Sequence, residues 1–176
     1  MITLRTICAV TTALTAMVAV GMLSGCKNTD TSEGLVAVSE VSQEDSRQSF
    51  TAKDILTQID DPLLDGSAYF GDEIFEKNCE KLYGIPVSDI EDGGIIFASN
   101  GGNADEISMV KFKENDMGER ILKERLDSRA TTFETYKPEE MTKIDSAEIF
   151  QAGDYWVLVI SDNVSEITEK IENTTK

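Results

Sequence analysis

Gly93-Gly94-Ile95-Ile96-Phe97-Ala98, Asn100-Gly101-Gly102-Asn103 and Glu106-Ile107-Ser108-Met109-Val110-Lys111-Phe112 follow one another with almost nothing between them. Ile95 to Ala98 is an apolar run too short for a helix and right for a strand. The Asn/Gly quartet is turn chemistry, and Glu106 to Phe112 reads as the returning strand of a β-hairpin. The next segment changes period. From about Asp116 to Tyr136, Met117, Ile121, Leu122, Leu126, Ala130 and Phe133 trace one face of a long helix, with Glu, Lys and Arg opposite. Lys137-Pro138 breaks it. A second hairpin follows: Ala147 to Gln151, a tight turn at Ala152-Gly153-Asp154, and Tyr155 to Ile160.

Working outward, Thr51 and Asp54 make a capping-box-like start before Ile55, Leu56 and Ile59, and Asp61-Pro62 ends that first helix. A loop through Asp65-Gly66 leads to a second helix, about Asp72 to Tyr83, closed by Gly84 and Pro86. A last short helix covers about Val164 to Ile171. The expected order is α-α-β-β-α-β-β-α. It implies a single α+β domain over residues 51–172, with 173–176 as a tail. Its mostly antiparallel four-stranded sheet, two β-hairpins, packs with the long central helix and shorter flanking helices. In Tyr155 to Ile160 both alternating sets are apolar: Tyr155, Val157, Val159 and Trp156, Leu158, Ile160. Something must therefore cover both faces of the sheet. The two N-terminal helices are the expected cover of the second face, and a partner chain or apolar ligand is the alternative.

The first 25 residues have the parts of an export signal: Arg5, an uncharged stretch from Ile7 to Met22, and small residues Ser24 and Gly25. The stretch is shorter than the roughly 20 residues of a spanning helix and no basic cluster follows it. Leu23-Ser24-Gly25-Cys26 resembles the lipobox that bacterial lipoprotein processing reads. The resemblance implies a diacylglyceryl thioether on Cys26, the lipid attachment residue and new N-terminus. Two or more acyl chains, at about 0.8 kcal/mol per buried CH₂, anchor a protein unaided. Residues 26–50, rich in Ser, Thr, Asp, Glu and Gln, then read as a flexible acidic tether. The expected location is the outer face of the bacterial cytoplasmic membrane, with contact to the membrane through the lipid anchor only.

The chain carries 16 basic and 33 acidic residues and no histidine, a net charge of −17. Removing the signal loses only Arg5, which leaves 15 against 33 and a net charge of −18. Phosphate backbones repel such a chain, so no nucleic-acid partner is expected. The absence of histidine excludes Ser-His-Asp and Cys-His catalysis and His-ligated zinc. Of three cysteines, Cys8 leaves with the signal and Cys26 is lipidated, so Cys79 stands alone in an apolar-periodic helix and no intrachain disulfide is expected. No catalytic residue, cofactor or metal site is assigned.

Ala104-Asp105-Glu106-Ile107, Lys111, Leu126 with Arg129, Tyr136-Lys137-Pro138 and Gly153-Asp154-Tyr155 recur in an order that resembles a known family. This is a family of small uncharacterised lipoproteins of low-GC Gram-positive bacteria, catalogued as a domain of unknown function. The similarity runs from about Ala52 to Ile160, with Asp105-Glu106 standing where the family tends to have two glutamates. It implies fold and location, and no activity. Glu106, Arg129 and Tyr136 are the polar positions it marks. Arg129 and Tyr136, seven apart, share a side of one helix. Arg129 either reads a ligand carboxylate or phosphate, with Tyr136 donating a hydrogen bond, or pairs internally with Glu106 to pin helix to hairpin; the internal pair is the expectation.

Two weaker patterns complete the inventory. Asp61, Asp65, Gly66 and Asp72 fall at positions one, five, six and twelve of a calcium-loop frame, but Leu63 and Tyr69 occupy ligand positions. Ser108 and Lys111 fit Ser-x-x-Lys, yet on a strand an i, i+3 pair points to opposite faces. The functional expectation is an extracytoplasmic lipoprotein acting as a protein-interaction module, its protein partner unidentified. A small-ligand-binding sensor or carrier using the hairpin–long-helix cleft is the alternative. A carboxylate-dependent hydrolase comes third and the chain is read as no enzyme, because no pair of acids has a spacing that fixes two roles.

Overall fold

The computed structural model describes residues 50–176. The expected signal, the expected lipid attachment residue Cys26 and the expected tether up to residue 49 lie outside the described residues. Helix α1 (Ala52–Leu56), strand β1 (Gly66–Tyr69), helix α2 (Glu73–Tyr83), the hairpin β2 (Ile90–Phe97) and β3 (Glu106–Phe112), and the long helix α3 (Gly118–Tyr136) come first. A short helix α4 (Met141–Asp145), the hairpin β4 (Glu148–Ala152) and β5 (Tyr155–Ile160), and helix α5 (Val164–Thr174) complete the domain. The strands form one wholly antiparallel sheet in the order β1-β2-β3-β5-β4.

The α+β class and the antiparallel sheet agree with expectation, but the sheet has five strands rather than four. Gly66-Ser67-Ala68-Tyr69, read as part of a loop, pairs along β2 from Gly66 opposite Phe97 to Tyr69 opposite Gly94. Strand β2 is also longer than its apolar run. It begins at Ile90, bulges before Asp92 and carries Gly93-Gly94 in its interior. A Cβ on Gly94 would lie 2.8 Å from the Tyr69 ring and 2.9 Å from Leu56. The missing side chain is therefore the space into which α1 and β1 pack. Helix α4 was not anticipated, and α5 runs through Thr174 into the segment read as a tail.

The local signals work as chemistry predicts. The Thr51 hydroxyl accepts the Asp54 N–H at 3.2 Å while the Asp54 carboxylate accepts the Thr51 N–H at 2.9 Å, a full capping box. Gly84 closes α2 at φ +70°.

Strand alternation sends side chains into two separate cores. Leu158, Ile160, Val110, Phe112 and Ile95 meet α2 and α3 through Phe75, Cys79, Ile121, Leu122 and Phe133. Tyr155, Val157, Val159, Ile107 and Met109 meet α1 and α5 through Ile55, Leu56, Ile167 and Ile171. The two faces of β5 divide as its sequence implied. The cover of the second face differs from expectation: α1 is joined there by the C-terminal α5, while α2 lies with α3 on the other side. Residue 50 already belongs to the packed domain, since the Phe50 ring stacks on Tyr155 at 5.8 Å. Each fully buried Phe or Ile contributes roughly 1.5–3 kcal/mol, so both cores are needed.

Candidate functional site

On the α2/α3 face of β3, Val110 and Phe112 are apolar, but Glu106 and Ser108 are not. Both are fully buried, with Glu106 1% exposed. A buried carboxylate demands partners. Arg125 of α3 supplies a two-pronged one: its Nε donates to Glu106 Oε1 at 2.8 Å and its Nη2 to Oε2 at 2.5 Å. Ser108 Oγ donates to the same Oε1 at 3.2 Å, and Tyr83 of α2 donates its hydroxyl to Ser108 Oγ at 3.2 Å. This chain of bonds ties α2, β3 and α3 together beneath the apolar layer.

Arg129, one turn along α3, approaches Glu106 differently. Its Nε lies 3.4 Å from Oε2 but is buried without a hydrogen bond. Its Nη2 donates to the Ala104 carbonyl at 3.0 Å and reaches the Asn103 carbonyl at 3.4 Å, and the guanidinium stacks 4.7 Å over the Phe133 ring. The expected Glu106–Arg129 contact thus exists, but the hydrogen-bonded partner of Glu106 is Arg125, which sequence reasoning missed. Tyr136 lies at the exposed end of α3, 71% accessible, and takes no part in the cluster.

The two arginines respond oppositely to their surroundings. Burial works against the charge of both. At Arg125 the hydrogen bonds and charge of Glu106 outweigh that burial and raise its pKa. At Arg129 burial prevails over Glu106, and its pKa falls. Burial pushes the Tyr83 hydroxyl up strongly, against the opposing effect of its bond to Ser108. Burial likewise pushes the Cys79 thiol up to about 11, which leaves it an inert core residue.

Above Glu106, Arg125 and Arg129 the surface opens into a cleft of about 510 Å³ between α2 and α3. Its polar wall holds those three residues and Lys81; its apolar wall holds Ile74, Leu82, Ile95 and Phe97. A volume of that size suits a small organic ligand. At one end the β2–β3 connection is strapped down. Lys137 Nζ donates to the Gly102 carbonyl at 2.6 Å, and the Ala104 N–H donates to Glu140 Oε2 at 2.9 Å. Lys143 pairs with buried Asp105 at 2.7 Å and with Glu140 at 3.3 Å. Burial disfavours the Lys143 charge, but these carboxylates outweigh it and raise its pKa. At Glu140 burial is similarly outweighed by the Ala104 N–H and Lys143, and its pKa is lowered.

The calcium-loop frame does not assemble. Asp61 accepts from the Leu63 N–H, Asp65 from the Ser99 N–H and hydroxyl, and Asp72 from the Tyr69 N–H, each at a different place. Among the described residues no group of three His, Cys, Asp or Glu side chains could hold a metal ion. Ser108 is buried toward Tyr83, while Lys111 pairs with Glu91 and Asp154, so the Ser-x-x-Lys pattern is coincidental. No helix among the described residues is long and apolar enough to cross a membrane.

Fold and site together define an α+β domain with a two-sided antiparallel sheet and a cationic cleft between its two facing helices. Residues 69–161, just over half the chain, match the family described as a domain of unknown function, DUF4358, and the chain belongs to that family. The match spans α2 to β5 and so contains nearly all of the cleft, whereas α1 and α5 fall outside it. No curated protein and no solved structure matches the chain.

Proposed function

We propose that the protein is a lipid-anchored, extracytoplasmic binding module of low-GC Gram-positive bacteria that holds a small ligand in the cleft between α2 and α3. Anchoring rests on the signal read in residues 1–25 and on Cys26, with residues 26–49 as the tether. The observation that carries the binding role is the cleft itself. In a chain of net charge −17, three cations and one acid line a 510 Å³ recess backed by apolar side chains. Binding rather than chemistry is favoured because the carboxylate there is consumed by Arg125 and Ser108 and no second free acid faces it.

The test is native mass spectrometry of the lipoprotein taken from its own membranes into nanodiscs. A stoichiometric adduct is expected, absent when the cleft is filled by Ser128→Trp. An adduct that persists in Ser128→Trp, or none in either protein, overturns the cleft reading. Release of the Cys26→Ala chain from membranes tests the anchor separately. A protein-interaction role also has one supporting observation: Phe70 and Ile74, four apart in the chain, are both exposed, at 40% and 63%. Crosslinking that captures a surface protein through this pair, and loses it in Ile74→Glu, would support that second reading.

A further inference from the structure

The cleft's charges are unequal to one another, and the inequality names a ligand class. Buried positions hold two guanidinium groups, Arg125 and Arg129, against one carboxylate, Glu106; their side chains are 13%, 19% and 1% exposed. In the adjoining cluster the buried carboxylates Asp105 and Glu140 are matched by Lys143 and Lys137. The third acid there, Asp162, meets Lys143 at 3.3 Å but is 67% exposed and screened by solvent, so no spare negative charge is buried. One positive charge is therefore left over, and it sits at Arg129. That side chain has a buried Nε–H without an acceptor, and it meets Glu106 only at 3.4 Å. Lys81 adds a solvent-screened charge at the rim. Opposite stand Ile74, Leu82 and Phe97, with no acid among them.

We infer that the cleft binds a small amphipathic monocarboxylate, its head on Arg129 and its apolar body along Ile74, Leu82 and Phe97. This rests on the cleft being a ligand site, as proposed above. One carboxylate neutralises the residual charge, and the planar fork of Arg129 suits it. A dianionic phosphate would leave a net negative charge in a partly buried position. A neutral ligand would leave the Arg129 charge as under-partnered as it is now.

The experiment is calorimetric titration of the full-length lipoprotein in zwitterionic nanodiscs, with empty nanodiscs as reference. The probes are 4-phenylbutyrate, its neutral amide, 4-phenylbutyl phosphate and butyrate. Phenylbutyrate should bind at least about tenfold tighter than the amide or butyrate, and Arg129→Gln should abolish that preference while Arg129→Lys restores part of it. Thermal unfolding by circular dichroism accompanies each variant. If Arg129→Gln fails to fold, Lys81→Glu takes its place and should weaken phenylbutyrate several-fold with a reduced salt dependence. Equal binding of acid and amide, blocked in both cases by Ser128→Trp, overturns the carboxylate class and leaves the cleft reading standing. Tighter binding of the phosphate overturns the single-charge argument. If no probe binds, the class falls, and the native mass spectrum decides the cleft reading independently.

Discussion

The contact of Glu106 with Arg125 and its contact with Arg129 should differ sharply in energy, although both arginines lie within salt-bridge distance of one carboxylate. The perturbation is a pair of double-mutant cycles, Glu106→Gln with Arg125→Met and Glu106→Gln with Arg129→Met. Breaking a buried, hydrogen-bonded pair by removing one partner costs about 3–5 kcal/mol, because the survivor is left charged and desolvated. Arg125→Met should sit near the lower end, about 3 kcal/mol, since Ser108 still donates to the orphaned Glu106 carboxylate. Arg129→Met removes bonds to two carbonyls and a stacking contact, each worth roughly 1 kcal/mol. Set against those losses is the removal of an under-partnered buried cation, so a net cost of about 1 kcal/mol is expected. Coupling energies should be about 2–3 kcal/mol for Glu106–Arg125 and below about 1 kcal/mol for Glu106–Arg129.

Urea unfolding reads these values through Trp156, the chain's single tryptophan, whose indole N–H donates to the Asn115 carbonyl at 2.7 Å. With a urea slope of about 2 kcal/mol per molar, Arg125→Met should move the midpoint by roughly 1.5 M and Arg129→Met by about a third of that. Equal couplings, or a larger one at Arg129, would refute the division of labour between the two arginines. The spare charge on which the ligand class depends would go with it.

Further tests concern packing and pH. Gly118→Ala should destabilise, although helix propensity alone favours Ala by about 1 kcal/mol, because the new Cβ would lie 2.0 Å from the Trp156 ring. A net loss of about 1–2 kcal/mol lowers Tm by several degrees in a calorimeter; an unchanged or higher Tm contradicts the close approach. Burial raises the pKa of Cys79 from 9.0 to about 11, and it raises those of Tyr83 and Tyr155 above 10.0, with the bond to Asp92 assisting at Tyr155. A raised pKa gives stability that is complete below the unfolded value and lost as pH rises, so urea midpoints should fall from about pH 9 upward. Cys79→Ala should delay that onset toward pH 10, and a flat midpoint from pH 8 to 11 would contradict these burials. Glu140, whose pKa is lowered, gives stability present above about 4.5 and lost in acid, so Glu140→Gln should shrink the acid-induced fall in midpoint.

Elements with two agreeing local signals were legible. Glu106 to Phe112 has the bounds read for the returning strand after the Asn/Gly turn, and the capping box fixed the first helix's start. What was not legible depends on neighbours. Gly66-Ser67-Ala68-Tyr69 has little strand propensity and becomes β1 because β2 offers it an edge. The strand was read from Ile95, after Gly93-Gly94, yet it runs through both glycines because helices on both sides require their bareness. The stripe Val164, Ile167 and Ile171 announced a helix, but periodicity names a buried face without naming what buries it. That is why α5, rather than α2, was not assigned to the second side of the sheet.

The site follows the same logic at finer scale. Glu106 and Ser108 occupy alternate positions on a strand whose following residues on that face, Val110 and Phe112, are core. Two polar residues on an apolar face are a signal that a polar cluster lies above them, although Glu106 was singled out by the family resemblance rather than by this pattern. Arg125 and Arg129 stand four apart on α3, so both point at the same acid, and spacing alone cannot apportion one carboxylate between two forks. The choice is made by where α3 sits along β3, a tertiary quantity. That placement gives the hydrogen bonds to Arg125 and leaves Arg129 facing a backbone strap and an open cleft. The sequence offered the internal pair and the ligand reader as rival roles for one residue; the fold gives the hydrogen-bonded internal pair to Arg125, and the binding role proposed above falls to Arg129, one turn away.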